Sequence, residues 1–250
     1  MTGRVLSERR GRSLVLTLNR PEQLNALSHD MYAALADGFD IASQDGEIRA
    51  VVITGAGAAF TAGNDLGDFS RPMPAGKPPV VRFLETLRDF EKPVVAAVNG
   101  PAVGIGVTML LHCDVVFASD AATFRAPFAH VGLVPEAGSS LLLPRALGMA
   151  MANDMLLAGR TLSASEALSG GLISRIASPA ELLSLTMHVA ADVAAQAPGA
   201  MKASKALIRA GREAVAEQMA REGAIFAQQL RSAEFREAVS AFLEKRPPNF

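Results

Sequence analysis

One cysteine and no tryptophan occur in 250 residues, and tyrosine appears once. A lone cysteine, Cys113, excludes a disulfide framework and any zinc site built on cysteines. So few large aromatic residues leave no stacking platform for single-stranded nucleic acid. Charge of one sign is also missing: 24 Lys and Arg stand against 25 Asp and Glu, a net charge of −1. There is neither a basic surface for phosphate backbones nor an acidic tail. The histidines, His29, His112, His130 and His188, share neither metal-ligand spacing nor a triad arrangement, so no metal site is expected from them. The one uncharged run of membrane length, residues 93–113, is broken by Asn99-Gly100-Pro101 and Gly104-Ile105-Gly106. It reads as two buried elements around a tight turn. Arg9, Arg10 and Arg12 precede an apolar stretch too short for a signal-peptide core and read as a solvated hairpin. The expectation is a cytoplasmic protein with no nucleic-acid or membrane partner.

Half of the residues are apolar and a fifth are charged, the composition of a globular domain. Strand-like runs occupy residues 14–18, 51–54, 94–98 and 115–117, several of them apolar throughout, as in strands covered on both faces. Helical spacing fills 28–43 through Met31, Leu35, Phe39 and Ala42, and 80–90 through Phe83, Leu84 and Leu87. Strand starts near 14, 51 and 94 recur about every 40 residues, the mark of a weak repeat. Residues 71–79 carry four prolines and read as a loop or lid. Beyond Ser163 the chain is mostly helical. Ser163 and Glu166 form a capping box closed by Gly170, and Ser178-Pro179-Ala180-Glu181 opens another helix. Residues 201–242 supply two or three more, ending before Pro247-Pro248. The pattern is an α/β core followed by a helical C-terminal part.

Two small-residue segments follow buried strands: Ala59-Phe60-Thr61-Ala62-Gly63-Asn64-Asp65-Leu66, and Asn99-Gly100-Pro101-Ala102-Val103-Gly104-Ile105-Gly106. Ligands of α/β sheets gather at the carboxyl ends of strands. Small residues there let a ligand reach backbone N–H groups, and a helix starting near Ile105 would aim its positive end at an anion. Taken alone, each segment is also an ordinary tight turn, and neither fits a dinucleotide or phosphate-loop pattern.

Together and in order, several motifs carry more. They are Asn19-Arg20-Pro21 with Asn25-Ala26-Leu27; Ala62-Gly63-Asn64-Asp65-Leu66; Lys92-Pro93-Val94-Val95-Ala96-Ala97-Val98-Asn99-Gly100; Cys113-Asp114; and Phe242-Leu243-Glu244-Lys245-Arg246. On these the chain resembles the enoyl-CoA hydratase/isomerase family, the crotonase superfamily, over essentially its whole length. The resemblance implies a spiral of β-β-α units over residues 1–195, with a helical oligomerisation region over 196–250 that forms a homotrimer or a dimer of trimers. It implies an acyl-CoA thioester as substrate, with coenzyme A belonging to the substrate rather than acting as a cofactor. The positions matching the family's oxyanion-hole N–H donors are Asn64 and Ile105. Proton removal beside a thioester puts charge on its oxygen, and such donors stabilise that charge. The coenzyme A would lie along Gln23, Ala26, Ala62, Asp65 and Leu66, with Asp65 also fixing its loop. The acyl chain would meet Phe69, Phe83, Thr108, Phe128 and Leu133.

The carboxylates decide the reaction. The two water-activating glutamates of the family's hydratases align with Thr108 and Phe128, neither of which is a general base. A glutamate stands instead at Glu136, where those hydratases have glycine. This resembles the 3,2-trans-enoyl-CoA isomerases that use a single glutamate. From spacing alone, Glu136 reads as a residue facing the dipole of a following helix. The resemblance makes it the group that carries a proton from C2 to C4. The alternatives are hydration, another crotonase chemistry such as thioester hydrolysis or dehalogenation, and a CoA-binding protein without catalysis.

Overall fold

The computed structural model describes residues 3–65, 67, 68 and 76–250. The chain enters through an antiparallel hairpin of β1 (Val5–Arg10) and β2 (Ser13–Leu18), turned at Gly11 with φ 61°. Arg9, Arg10 and Arg12 are exposed around its tip. Helix α1 (His29–Gln44) leads to β3 (Ala50–Gly55), and α2 (Pro79–Asp89) leads to β4 (Val94–Val98). Then come β5 (Ala102–Val103), the single-turn α3 (Ile105–Thr108), β6 (Val115–Ser119) and β7 (Thr123–Arg125). They are followed by α4 (Ser139–Leu156), β8 (Leu162–Ser163), α5 (Ala164–Gly170) and β9 (Arg175–Ala177). Four helices complete the chain: α6 (Leu182–Ala195), α7 (Pro198–Ile208), α8 (Arg212–Gln229) and α9 (Ala233–Leu243).

The strands divide between two sheets. One has the order β1-β2-β3-β4-β6-β9 and is parallel beyond the hairpin; the other is β5-β7-β8. Successive strands alternate between them: β4 belongs to the first, β5 to the second, β6 to the first, β7 to the second. Isolated bridges, Leu27 with Asn64 and Thr61 with Ala102, extend the second layer past β3. Strand, short strand and helix thus repeat as turns of a spiral.

The apolar strands are buried on both faces, as expected of parallel strands between helices. Leu14, Leu16, Val51, Ile53, Val94 and Ala96 face the main core with α1 and α2. Their alternates Val15, Val52, Val95, Ala97 and Phe117 pack on Leu182 and Ala190 of α6. Residues 93–113 form β4, β5, α3 and a 3-10 turn over Met109–His112. Among the described residues no helix is long and apolar enough to cross a membrane.

Two helix boundaries differ from expectation. The capping box of Ser163 and Glu166 forms, but the left-handed C-cap is Gly171, not Gly170. Ser178 to Glu181 make a turn rather than a helix start. Glu181 N–H donates to the Ser178 carbonyl at 3.1 Å, Ser178 Oγ donates to the Glu181 carboxylate, and α6 begins only at Leu182. The tail resolves into the three helices α7 to α9, and it packs on its own chain. Phe235 of α9 is buried in the main core, where a Cβ on Gly132 would lie 2.8 Å from its backbone nitrogen.

Candidate active site

Residues 20–27 and 61–65 are laced together. The Ala62 N–H donates to Leu24 O, Leu27 N–H to Gly63 O, and Asp65 N–H to Leu27 O, each at 2.8–2.9 Å. The buried Arg20 adds its guanidinium to Ala26 O at 2.7 Å and to Asp65 Oδ2 at 2.9 Å. Asp65 Oδ1 also accepts from Gly67 N–H at 3.0 Å, so this carboxylate holds its loop. Gln23, Ala26, Ala62 and Asp65 therefore share one strip of structure, with Gln23 exposed and the others half-buried. Leu66 and Phe69 lie outside the described residues, as do residues 71–75 of the proline-rich segment.

The second small-residue segment packs directly on the first. A Cβ on Gly63 (φ 95°) would sit 3.0 Å from Val103 O, and one on Gly106 would sit 2.6 Å from Thr61 Cγ2. Glycine suits both positions, Gly63 because its left-handed backbone meets the Val103 carbonyl and Gly106 because the Thr61 methyl fills the space of a Cβ. Gly104, at φ 55°, is the N-cap of α3, and its carbonyl accepts from Val107 and Thr108. Ile105 is thus the first residue of a helix, whose N–H has no intrahelical acceptor. In the parallel bridge of Leu27 with Asn64, the ladder hydrogen bonds go to Gly63 and Asp65, turning the Asn64 N–H the other way. Among the described residues neither the Asn64 nor the Ile105 N–H has an acceptor. The Asn64 side chain is fixed separately, its Oδ1 accepting from the hydroxyl of Tyr32 on α1.

Glu136 precedes α4 and is buried, 9% exposed. Thr108, the last residue of α3, donates its hydroxyl to Glu136 Oε1. Burial pushes the Glu136 carboxyl up to about 7; the Thr108 hydroxyl opposes this, and the charge of Glu222 adds to it. Burial also raises the Tyr32 hydroxyl well above its usual range, with Glu136 and Asp68 adding their charge, so it stays protonated. Behind Glu136 the backbone turns through two left-handed residues, Ala137 at φ 59° and Gly138 at φ 74°. The Ala137 carbonyl accepts from His112 Nε2 at 2.7 Å, and burial lowers that imidazole to about 4, which keeps it neutral.

A cavity of about 400 Å³ opens beside these groups. Asn64, Asp65, Tyr32 and Glu136 line it, together with Val80, Val81 and Leu84 at the start of α2. Its far wall is α8, which contributes Met219, Ala220, Gly223 and Phe226, with Leu230 just past the helix end. Asp68 also lines it, but its Oδ2 accepts from His29 N–H at 2.7 Å at the start of α1.

Of the expected acyl-chain residues, the four that are described, Phe83, Thr108, Phe128 and Leu133, do not line this cavity. Phe83 is fully buried behind Tyr32 and Phe39, with ring centroids 5.8 and 6.2 Å away. Thr108 is behind Glu136, while Phe128 and Leu133 are core residues near Phe235. Side chains at helical or loop spacing face either core or cavity, and their spacing does not tell which. Missed altogether were Tyr32, the α8 wall and Glu222. The one available signal was Glu222 at helical spacing among the apolar Val215, Met219 and Phe226.

Residues 9–250 match the family model described as enoyl-CoA hydratase/isomerase. Among curated relatives, the chain is 41% identical over 201 residues to enoyl-CoA delta isomerase 2 of Rattus norvegicus, covering 78% of this chain and 51% of that protein. It is 38% identical over 247 residues to 1,2-epoxyphenylacetyl-CoA isomerase of Escherichia coli K12, covering 95% and 94%. Other relatives carry hydratase names. A crystal structure of an enoyl-CoA hydratase/isomerase from Pseudoalteromonas atlantica T6c superposes with a TM-score of 0.97 at 55% identity, covering 99% of this chain and all of that one. The fold is the crotonase spiral, and the chain belongs to the enoyl-CoA hydratase/isomerase family.

Proposed function

We propose that this protein is an acyl-CoA isomerase that moves a double bond from the 3 to the 2 position of an enoyl-CoA. The observation that carries this reading is Glu136: a buried carboxylate on the cavity wall, raised to about 7, bonded to the Thr108 hydroxyl. Hydration by the two-glutamate route needs two carboxylates on one water. Here one of those positions is Thr108, whose hydroxyl is committed to Glu136, and the other is Phe128, buried in the core.

In the reaction, Glu136 takes a proton from C2 of the 3-enoyl thioester. The electron pair of that C–H bond forms C1=C2 and displaces the carbonyl π pair onto oxygen, leaving a dienolate that is conjugated with the intact C3=C4 and carries its charge on oxygen. The Asn64 and Ile105 N–H groups receive that charge. Glu136 returns the proton to C4, and the product is the 2-enoyl thioester. A base that must both take and return a proton works best with a pKa near the working pH, which burial supplies. Gln23, Ala26, Ala62 and Asp65 form the strip along which coenzyme A would lie. The cavity, walled by α2 and α8, would take the acyl chain.

Purified protein supplied separately with 3-enoyl-CoA and 2-enoyl-CoA tests this reading. The expected products are 2-enoyl-CoA from the first and little 3-hydroxyacyl-CoA from the second. Rapid hydration of 2-enoyl-CoA would overturn it.

A further inference from the structure

Glu222 lies on α8, 86 positions beyond Glu136 in the chain, yet its carboxylate reaches the turn that follows Glu136. It is 5% exposed. Its Oε2 accepts from Gly138 N–H at 2.6 Å, and its Oε1 accepts from Ser140 N–H at 2.9 Å and from the Ser140 hydroxyl. Gln218, one helical turn earlier, donates to Ser140 Oγ at 2.8 Å. Helix α4 has no side-chain cap of its own, because its N-cap is Gly138. The four leading N–H groups of a helix need acceptors, and a carboxylate at that end also answers the helix dipole. Here the cap comes from another helix.

The geometry has a second side. The next face of α8, through Met219, Gly223 and Phe226, is the far wall of the cavity. One helix therefore closes the acyl chamber and clamps the turn that aims Glu136. That turn has two left-handed residues, and the first of them, Ala137, carries a side chain; such a conformation persists only where surrounding contacts hold it. His112 holds the Ala137 carbonyl from one side and Glu222 holds Gly138 and Ser140 from the other.

We propose that Glu222 is a positioning residue for Glu136: by capping α4 at Gly138 and Ser140 it fixes the turn that aims the catalytic carboxylate, and it ties that aim to the seating of α8 over the acyl cavity. This rests on the reading of Glu136 as the proton carrier. Glu222 also acts on Glu136 through its charge, which raises the Glu136 carboxyl. Of the other groups lining the cavity with Glu136, Asp65 is paired with Arg20, Glu85 with Lys77, and His29 lies beside Asp68. Thr108 donates a hydrogen bond, His112 is neutral, the Tyr32 hydroxyl stays protonated, and Asp68 is occupied by the start of α1. Arg88, on the cavity wall from α2, is paired with Asp89 at the helix end.

Two substitutions in the full-length protein separate position from charge. Glu222→Gln keeps the length and loses the charge. Glu222→Asp keeps the charge and loses about one methylene of reach. The readouts are kcat, KM and the pH profile of kcat with 3-enoyl-CoA. For E222Q the expected result is a fall in kcat of about tenfold or more at nearly unchanged KM. The rising limb of the profile should move to lower pH, because a neighbouring negative charge has been removed. For E222D the limb should stay in place while kcat remains low. A helix cap without influence on the site would leave the limb in place in E222Q. That result, or wild-type kcat in E222Q, overturns the proposal. Should E222Q fail to fold, Ser140→Ala removes one donor to Glu222 and the link to Gln218 without changing charge. Its kcat should then fall about two- to fivefold at constant KM; wild-type kcat there also overturns the proposal. Glu136→Gln distinguishes this failure from that of the underlying reading. An inactive E136Q beside a normal E222Q overturns the positioning role alone, whereas an active E136Q overturns the proton-carrier assignment itself.

Discussion

Glu136 bears its charge where little water reaches it, and this has consequences for stability and for rate. The folded protein holds the Glu136 proton up to about pH 7, whereas an unfolded chain releases it near 4.5. Ionisation of the folded state therefore costs stability. The cost is absent below pH 4.5, grows through the interval, and is complete above about 7, where it reaches up to about 3 kcal/mol. Glu136→Gln should accordingly be more stable than the wild type at pH 8 and equal to it at pH 4; denaturant titrations at the two pH values measure the difference. Thr108 acts in the opposite direction to Glu222, since its hydroxyl favours the charged carboxylate. Thr108→Val should move the rising limb of kcat to higher pH, and a limb that stays put or moves down would contradict the hydrogen bond. At this scale the candidates Glu136, Asn64 and Ile105 were legible only through the family resemblance, since spacing alone leaves each an ordinary turn or helix-start residue. Glu222 was not, because a glutamate on a long helix ordinarily faces solvent and only the fold brings Gly138 to it.

The short helix α3 opens with an N–H that no described residue accepts. Gly104 turns the chain at φ 55°, Ile105 follows with its N–H unused, and Thr108 ends the helix with its hydroxyl on Glu136. Proline is sterically suited to the first position of a helix. Ile105→Pro should therefore remove the donor with little damage to α3, while Ile105→Ala keeps the donor and loses the same buried side chain. The expected kcat of I105P is about 10²–10³ below that of I105A, with both variants folded by circular dichroism. Equal turnover in the two would remove Ile105 from the oxyanion hole. The long apolar strands β2, β3, β4 and β6 could be read from sequence because burial on both faces leaves a continuous apolar run. The second sheet could not, since β5, β7 and β8 are only two or three residues long and too short to show a period. Ser178-Pro179 resembled a helix start because a capped turn and a capped helix use the same residues at the same spacing.

For the molecule as a whole, the C-terminal helices divide their apolar residues between two tasks. Phe235 is buried in the chain's own core, and Met219, Phe226, Leu230 and Val239 pack against it partly buried. Leu207 and Ile208, 78% and 83% exposed at the end of α7, remain uncovered, as do Phe242 and Leu243. Apolar surface of this kind is what an interface between copies of the chain would cover. Light scattering is expected to give three or six times the chain mass of 26.1 kDa, and a monomer at micromolar concentration would contradict this. Periodicity showed that the tail was apolar, but not which copies of the core its faces cover, because spacing along a helix carries no information about the partner.

The central claim is that a single carboxylate carries a proton between two carbons of one acyl chain. It is tested most directly by turnover of 3-enoyl-CoA by Glu136→Gln, measured beside acyl-CoA affinity. The amide keeps the size and can still accept from Thr108, but it cannot take a proton. The account predicts a fall of about 10²–10⁴ in kcat with Kd for acyl-CoA changed only a few-fold, because the thioester oxygen and the coenzyme A are held elsewhere. Near-normal isomerisation by the folded E136Q protein would contradict it.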